Sequence, residues 1–401
     1  MDFSHDESGV RPSGCAFRSW GLWGARMSVA RRCMSGTRAF TYYFVWIAAL
    51  FAGLAHAQTD GRLQLHFIDV GQGDGALLVS PLGQTVLFDN GVNGNCSKPL
   101  EYLRKLKLSS IDYHIASHYH SDHIGCTTDV FANFPLRKAA LDRGGSYNSA
   151  IFRAYVAATG EKRETATPGT TMTLDAGSGQ PVTVKIVALN GDGVSTTNEN
   201  DLSVVALVRF GNFRAVIGGD LSGYRTGSYE DIETSVAPKV GQVEVYKVHH
   251  HCSRYSTNAA WLETTQPKIG IISTGNGNGY GHPTQECLER LHNANVKTYW
   301  TEQGAGAPPE NGLDVVAGDV LVEVKPGASS FTVCYAGRTE EVSLWEGARP
   351  ATPAAPRYAW SKKSGLYHYA ECADVARIKP ENLERGDSPP EGKTLHQGCP
   401  K

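Results

Sequence analysis

The sequence predicts an α/β protein built as two β-sheets sandwiched between helices, an αββα arrangement. Three observations carry this. Short apolar segments recur between Gly- and Asn-rich turns, the pattern of strands joined by tight connections. Segments with apolar residues at helical spacing interrupt them. The alternation of strand and helix then occurs in both halves of the chain, which is how α/β layers assemble. The composition allows such a core: 401 residues, 19% charged, 41% hydrophobic and 44 glycines exclude a collagen, a coiled coil or a fully disordered chain. A formal charge of −2 excludes a strongly basic nucleic-acid binder and an acidic tail protein.

Residues 1–57 precede the fold. Thr41 to Ala55 reads TYYFVWIAALFAGLA, follows Arg31, Arg32 and Arg38, and leads into Ala55-His56-Ala57. The run is shorter than the roughly 20 residues of a membrane span. It reads as a signal peptide cut after Ala57, with an uncleaved anchor as the alternative. A start at Met27 or Met34 gives a leader of ordinary size. The mature protein is therefore expected in the periplasm or outside the cell. Removing residues 1–57 takes six basic residues from 38 and three acidic ones from 40, leaving 32 against 37, a formal −5. That balance gives no general attraction to polyphosphates. Seven cysteines remain in a compartment that permits oxidation, and an odd number leaves at least one thiol unpaired or bonded elsewhere.

Residues 58–345 are expected to form the main domain. From Leu63, LQLHFIDV, the turn GQGDG, ALLVS, the turn PLGQ and TVLFDNG describe a β-meander. Lys98 to Leu106 places Leu100, Leu103 and Leu106 at helical spacing, and Ile111 to Ala116 returns to a strand. Strands are predicted at 181–189, 202–211 and 213–220, the last two joined by a Gly-Asn turn, and again at 242–251. A helix at Asn258 to Thr264, a strand at 268–274, a helix at Thr284 to Ala294 and a strand at 297–300 follow. Residues 346–356 (EGARPATPAAP) read as a Pro/Ala-rich linker. Residues 357–401 form a small tail module containing Cys372 and Cys399.

The chemistry concentrates where predicted strands end. Ser117 to Gly125 reads SHYHSDHIG: His118, His120, Asp122 and His123 bring imidazoles and a carboxylate into a small volume, as a borderline divalent cation requires. The two-residue period points His118 and His120 the same way, while the turn presents Asp122 and His123 separately. One strand end then serves two metals. Asp220 ends another strand and offers a bridging carboxylate, His249, His250 and His251 end a third, and His282 lies in the turn GYGHP.

With its HxHxDH signature at His118, His120, Asp122 and His123, the chain resembles the metallo-β-lactamase fold. Within that family it looks most like the hydrolase domain of the ComEC/Rec2 competence proteins. The stretches FIDVGQGDGALL (67–78), FDNG (88–91), SHYHSDHIG (117–125), NDLS near Asn200, IGGD (217–220), KVHHHCS (247–253) and ISTGNGNGYGHP (272–283) run in the expected order over about 250 residues. The membrane channel of those proteins is absent, so the resemblance implies a free-standing, exported relative.

The resemblance also implies residue roles. His118 and His120 would hold one metal, Asp122, His123 and His250 the other, with Asp220 bridging. His250 follows from aligning KVHHHCS with V-G-H-H-G-S, and His251 is then a substrate contact; the choice among the three histidines stays open. Cys126 and Cys252 stand where the family has glycines. The third histidine of the first lactamase-type site is missing, since no histidine occurs from Ile124 to Tyr246. Asn200 or Asp201 would substitute, or the site would be weak. Asp69 is expected to organise the glycine turn and the metal loop, and Asp89 to orient that loop from behind. His66 and His114 are expected in the core, and Asn278 and Tyr280 as pocket wall. The tail resembles a small cysteine module, for which a Cys372–Cys399 disulfide is expected rather than zinc; a Cys96–Cys126 bridge would join two loops at the pocket mouth.

The implied function is an exported dinuclear metallo-hydrolase with two divalent ions, zinc first and manganese as the alternative. Hydroxide between the cations would attack phosphorus or a carbonyl carbon, with Asp122 in the catalytic set and His251 and His282 placed to stabilise or protonate the departing oxygen. A phosphoester is the first substrate class, nucleic acid included although the net charge does not support it. Another ester, a lactone or an amide is the alternative, and a non-catalytic binding protein the second alternative.

Overall fold

The computed structural model describes residues 60–346, 358–369, 372–386 and 390–396. The signal peptide, most of the linker and Cys399 lie outside the described residues. A nine-stranded sheet runs, edge to edge, through Arg338–Ser343, Ser330–Tyr335, Val320–Val324, Leu63–Phe67, Ala76–Val79, Thr85–Phe88, Ile111–Ile115, Leu136–Asp142 and Arg163–Thr165. An eight-stranded sheet runs through Asp314–Val316, Lys297–Trp300, Ile269–Ile272, Val245–Lys247, Phe213–Ile217, Val205–Phe210, Val182–Ala188 and Thr171–Leu174.

Alternation explains why the sheets pair. Leu63, Leu65 and Phe67 of one sheet pack with Val184, Val208 and Ala215 of the other in one core, as a period of two dictates. The opposite faces bury against helices. Val216, Tyr246 and Ile272 meet Val236, Trp261 and Leu288 on one side, and Leu77 and Leu87 meet Tyr102, Leu103 and Val130 on the other. The four layers are helix, sheet, sheet and helix. His66 and His114 are core histidines: His66 Nδ1 lies 2.9 Å from Tyr102 Oη, and His114 Nδ1 donates to Leu87 O at 3.0 Å.

The helix expected at 98–106 spans Ser97–Lys105, and the hairpin at 202–220 pairs Val205–Phe210 with Phe213–Ile217. The strand expected to reach His251 covers only Val245–Lys247, because His250, His251 and Cys252 adopt φ of 49°, 51° and 61°. The helices Thr127–Asn133, Ala150–Thr159 and Glu233–Val240 and the three sheet strands between 320 and 343 were not anticipated. A further four-stranded sheet in the tail orders Leu383–Gly386, Tyr358–Ser361, Leu366–Tyr369 and Thr394–Leu395. No helix among the described residues is long and apolar enough to cross a membrane.

Two disulfides tie loops to helices. Cys96–Cys126 is present as expected, and Cys252–Cys287, which was not anticipated, joins the histidine turn to the helix Gln285–Asn293. Cys372 is also disulfide-bonded.

Candidate metal centre

The site lies where strand ends of the two sheets meet. Backbone freedom lets the loops approach: Gly73 has φ of 132°, and a Cβ there would stand 2.2 Å from Asp122 O. Gly219, at φ 59°, likewise leaves room for the Ser117 side chain beside Asp220. Only glycine meets both demands at little cost.

Asp89 sets the metal loop. Its carboxylate accepts from Ser117 N at 2.8 Å, Ser117 Oγ at 2.6 Å and His123 Nδ1 at 2.8 Å. A carboxylate partner fixes the proton on Nδ1 and turns Nε2 inward, where it lies 3.3 Å from Asp220 Oδ2 and 3.8 Å from Asp122 Oδ2. His251 is fixed in the same sense: Nδ1 donates to Ser273 O at 2.8 Å, and Nε2 lies 3.4 Å from both Asp122 Oδ2 and Asp220 Oδ2. Ligand atoms of Asp122, His123, Asp220 and His251 all fall within 4.8 Å of one another. His123 Nε2, His251 Nε2 and Asp220 Oδ1 are buried without hydrogen-bond partners. Such orphaned atoms are costly unless a ligand satisfies them, and two imidazoles with two carboxylates suit zinc or manganese. The donor set therefore fits a divalent cation.

Electrostatics agree. Burial favours neutral His123, but Asp220, Asp122, Asp89 and Asp74 carry its pKa well above the histidine range. His251 is raised in the same way against burial, chiefly by Asp220. Burial opposes ionisation of Asp220, yet His251, His123 and His250 hold its carboxyl well below the usual range. Without metal, protons on the two imidazoles supply the positive charge that the carboxylates require.

His118 and His120 form the other half, with Nε2 of the first 3.0 Å from Nδ1 of the second. Four expectations change. His250 is not in the tight cluster: its Nε2 lies 3.2 Å from Asn200 Nδ2 and 4.0 Å from Asp220 Oδ2, and the left-handed backbone delivers His251 instead. Asp201 is not part of the tight cluster: its Oδ2 accepts from Thr196 Oγ1 at 2.8 Å and from Glu230 N at 2.9 Å, while its Oδ1 is buried without a hydrogen-bond partner. Asn200 does reach the site, through His250. Asp69 organises the glycine turn through Gly71 N at 2.9 Å, but its other partner is Lys98 rather than the metal loop. Finally, burial, with His251 and His250 nearby, pushes His282 down to about 3, so it is neutral at pH 7 and is no proton donor in the metal-free protein.

Asp74 and Lys247 complete the site from behind. Asp74 Oδ1 lies 3.4 Å from His251 Nδ1, Oδ2 lies 3.7 Å from His123 Nδ1, and the buried Lys247 ammonium pairs with the same carboxylate. The GQGD motif contained the Asp74 signal, although Asp69 received the organising role; nothing in the sequence marked Lys247. His249 turns away, Nδ1 donating to buried Glu233 at 2.8 Å. Aromatic rings surround the site: Tyr147 beside His120, Tyr229 beside His250, and exposed Tyr280 stacked on His282. Asn278 shapes the turn, its Nδ2 donating to His282 O at 2.8 Å.

The profile of the metallo-beta-lactamase superfamily matches residues 68–276. The chain is 24% identical over 259 residues to ComE operon protein 3 of Bacillus subtilis, covering 60% of this chain and 32% of that protein. It is 27% identical over 233 residues to Recombination protein 2 of Haemophilus influenzae, covering 57% and 26%. The chain thus spans less than a third of the length of these curated relatives. Among solved structures, the metallo-beta-lactamase fold protein YhfI of Bacillus subtilis superposes with a TM-score of 0.38 at 16% identity, covering 62% of this chain and 99% of that one.

Proposed function

The chain belongs to the metallo-β-lactamase superfamily, and from that membership and the geometry of the cluster we propose that it is an exported metal-dependent hydrolase acting on a phosphoester. The observation that carries the reading is the convergence of Asp122, His123, Asp220 and His251 with three orphaned ligand atoms among them. Divalent cations, zinc first, would supply Lewis acidity toward the attacked group and lower the pKa of water. The chain's own residues prepare for that chemistry. Asp89 and Ser273 O hold His123 and His251 in the tautomer that aims Nε2 inward. Ser117 Oγ lies 3.1 Å from His118 Nδ1, which favours Nε2 of that ring toward the site as well. Asp220, whose charge acts on His118 and His120 as well as on His123 and His251, would be the shared ligand. His250 and His282, both neutral at pH 7, line the mouth as hydrogen-bonding and stacking groups that orient substrate.

The missing third histidine argues against a lactamase, and a phosphoester is the substrate class that the resemblance to the ComEC/Rec2 hydrolase domain implies. The mature charge of −5 favours a small phosphoester over a polymer bound along a basic track. Disulfides at Cys96–Cys126 and Cys252–Cys287 support export, since such bonds persist in oxidising compartments. Protein stripped by chelator and reloaded with Zn²⁺ or Mn²⁺ is to be assayed on a phosphodiester, a phosphomonoester, a lactone and a β-lactam. Metal-dependent turnover of a phosphoester is expected. Turnover confined to the lactone or β-lactam would overturn the substrate class, and no metal retention would overturn the hydrolase.

A further inference from the structure

The tail sheet meets the sandwich at a turn that borders the metal centre. Tyr369 closes the strand Leu366–Tyr369 and packs against the small tail core. From the sandwich, Arg225 Nη1 donates to Tyr369 Oη at 2.6 Å, and the guanidinium lies 4.9 Å from the centre of that ring. The same guanidinium pairs through Nε with Glu230 Oε2 at 2.7 Å. Arg225 and Glu230 therefore brace the two ends of a turn whose residues 224–228 are exposed. Thr226 folds the turn, its N–H donating to Tyr229 O at 2.9 Å and its Oγ1 accepting from Tyr229 N at 3.1 Å. Its base is pinned beside the site, where Glu230 N donates to Asp201 Oδ2 and Asn198 Nδ2 donates to Ser228 O, both at 2.9 Å. Tyr229 is the residue of this turn that faces the metal centre: its ring lies 5.7 Å from that of His250 and stacks on Tyr255 at 5.1 Å. Burial, then Asp220 and Asp201, hold its hydroxyl above the ordinary phenol range, so it is an O–H donor at neutral pH.

We propose that Tyr229 binds substrate at the metal centre and that the tail sheet positions it, Tyr369 gripping Arg225 so that the turn holds the Tyr229 ring at the mouth. The inference rests on the hydrolase reading given above. The Tyr229 hydroxyl donates to an oxygen of the bound phosphoester, while His250 and Tyr255 flank the ring. Arg225, Glu230 and Tyr369 act through Tyr229 and are positioning residues. An exposed charged contact of this kind is worth little to folding, whereas a small displacement of a group that holds substrate is costly to turnover. The grip therefore belongs in the kinetics more than in the stability.

The test uses the full chain. On metal-loaded protein, with p-nitrophenyl phosphate and bis(p-nitrophenyl) phosphate as probes, Tyr229→Phe should lower kcat/KM about fivefold, the worth of one hydrogen bond. Tyr369→Phe, which keeps the ring in the tail core and removes only the hydroxyl, should lower it about threefold with metal retention unchanged. In a Tyr229→Ala background Tyr369→Phe should have no further effect, because nothing remains for the grip to position. On metal-free protein, trypsin cleavage after Arg225, followed by mass spectrometry, should run about threefold faster in Tyr369→Phe. Trypsin reads the grip without metal or substrate, so a failure of this proposal is distinguishable from a failure of the hydrolase reading. Losses that add in the Tyr229→Ala background, metal retention lost in Tyr369→Phe, or cleavage at the wild-type rate would each overturn the proposal.

Discussion

Asp89 governs two residues of the metal loop from one carboxylate, receiving Ser117 and His123 together. Asp89→Ala frees the imidazole to rotate and to change tautomer, and metal affinity should fall about 10–100-fold, the usual cost of losing such a partner. Competition with a chelator measures this, and an unchanged affinity would count against the tautomer argument. The neighbouring histidines allow a sharper test. His251→Ala should abolish metal retention in the sandwich, whereas His250→Ala should leave retention nearly intact and raise KM for the substrate. Equal loss in both variants would return His250 to the ligand set. The donor types were legible in the sequence, because His118, His120, Asp122, His123, Asp220 and the histidines at 249–251 all follow the ends of strands. Which histidine enters the cluster was not, since the two-residue period of a strand stops applying once His250 and His251 take positive φ. Non-Gly residues held there cost free energy, and they persist where function fixes them.

That turn is held as an element, not by its own preferences. Cys252, the residue after His251, is bonded to Cys287 on the helix Gln285–Asn293, so a packed helix fixes the backbone that aims the ligand. The bridge closes a separation of 35 residues, and the chain-entropy model assigns such a loop about 4 kcal/mol. Cys252→Ala/Cys287→Ala should therefore lower urea stability by up to that amount and, in addition, weaken Co²⁺ retention. Cys96→Ala/Cys126→Ala, with a separation of 30, should cost a similar stability. Lost stability with unchanged retention in the first variant would show that the bridge serves folding alone. Cys96–Cys126 was legible because both residues flank turns recognisable beside the metal loop. Cys252–Cys287 was not, because nothing local places a helix beside the histidine turn; only the parallel order of Val245–Lys247, Ile269–Ile272 and Lys297–Trp300 does so.

At the scale of the molecule, alternation revealed the sandwich, since Leu63, Leu65 and Phe67 announce an inward face, while the strands from 320 to 343 escaped even though they pair with one another as local hairpins; only the pairing of Val320–Val324 with Leu63–Phe67, which joins them to the sheet, is remote in sequence. The same core that closes the sandwich imposes a pH dependence. Burial lowers His66 to about 3 and His114 to about 4, both from an ordinary 6.5. A lowered histidine binds protons more readily in the unfolded chain, so its contribution is fully present above pH 6.5 and is lost as pH falls toward 3–4. His123 and His251, raised in the metal-free protein, act in the opposite sense: their contribution is full below 6.5 and is lost as pH rises through their raised values. Metal removes that second term, because His123 Nε2 and His251 Nε2 must shed protons to ligate. Metal-loaded protein should therefore show a steeper loss of urea midpoint between pH 6.5 and 4 than chelated protein. Its metal affinity should rise with pH across the same interval. His66→Leu should flatten the acid slope in both forms, whatever its starting stability, because one buried neutral imidazole has been removed from the balance. A slope unchanged by that substitution, or a midpoint that rises on acidification of the loaded protein, would refute the assignment of the core histidines as the acid-labile groups.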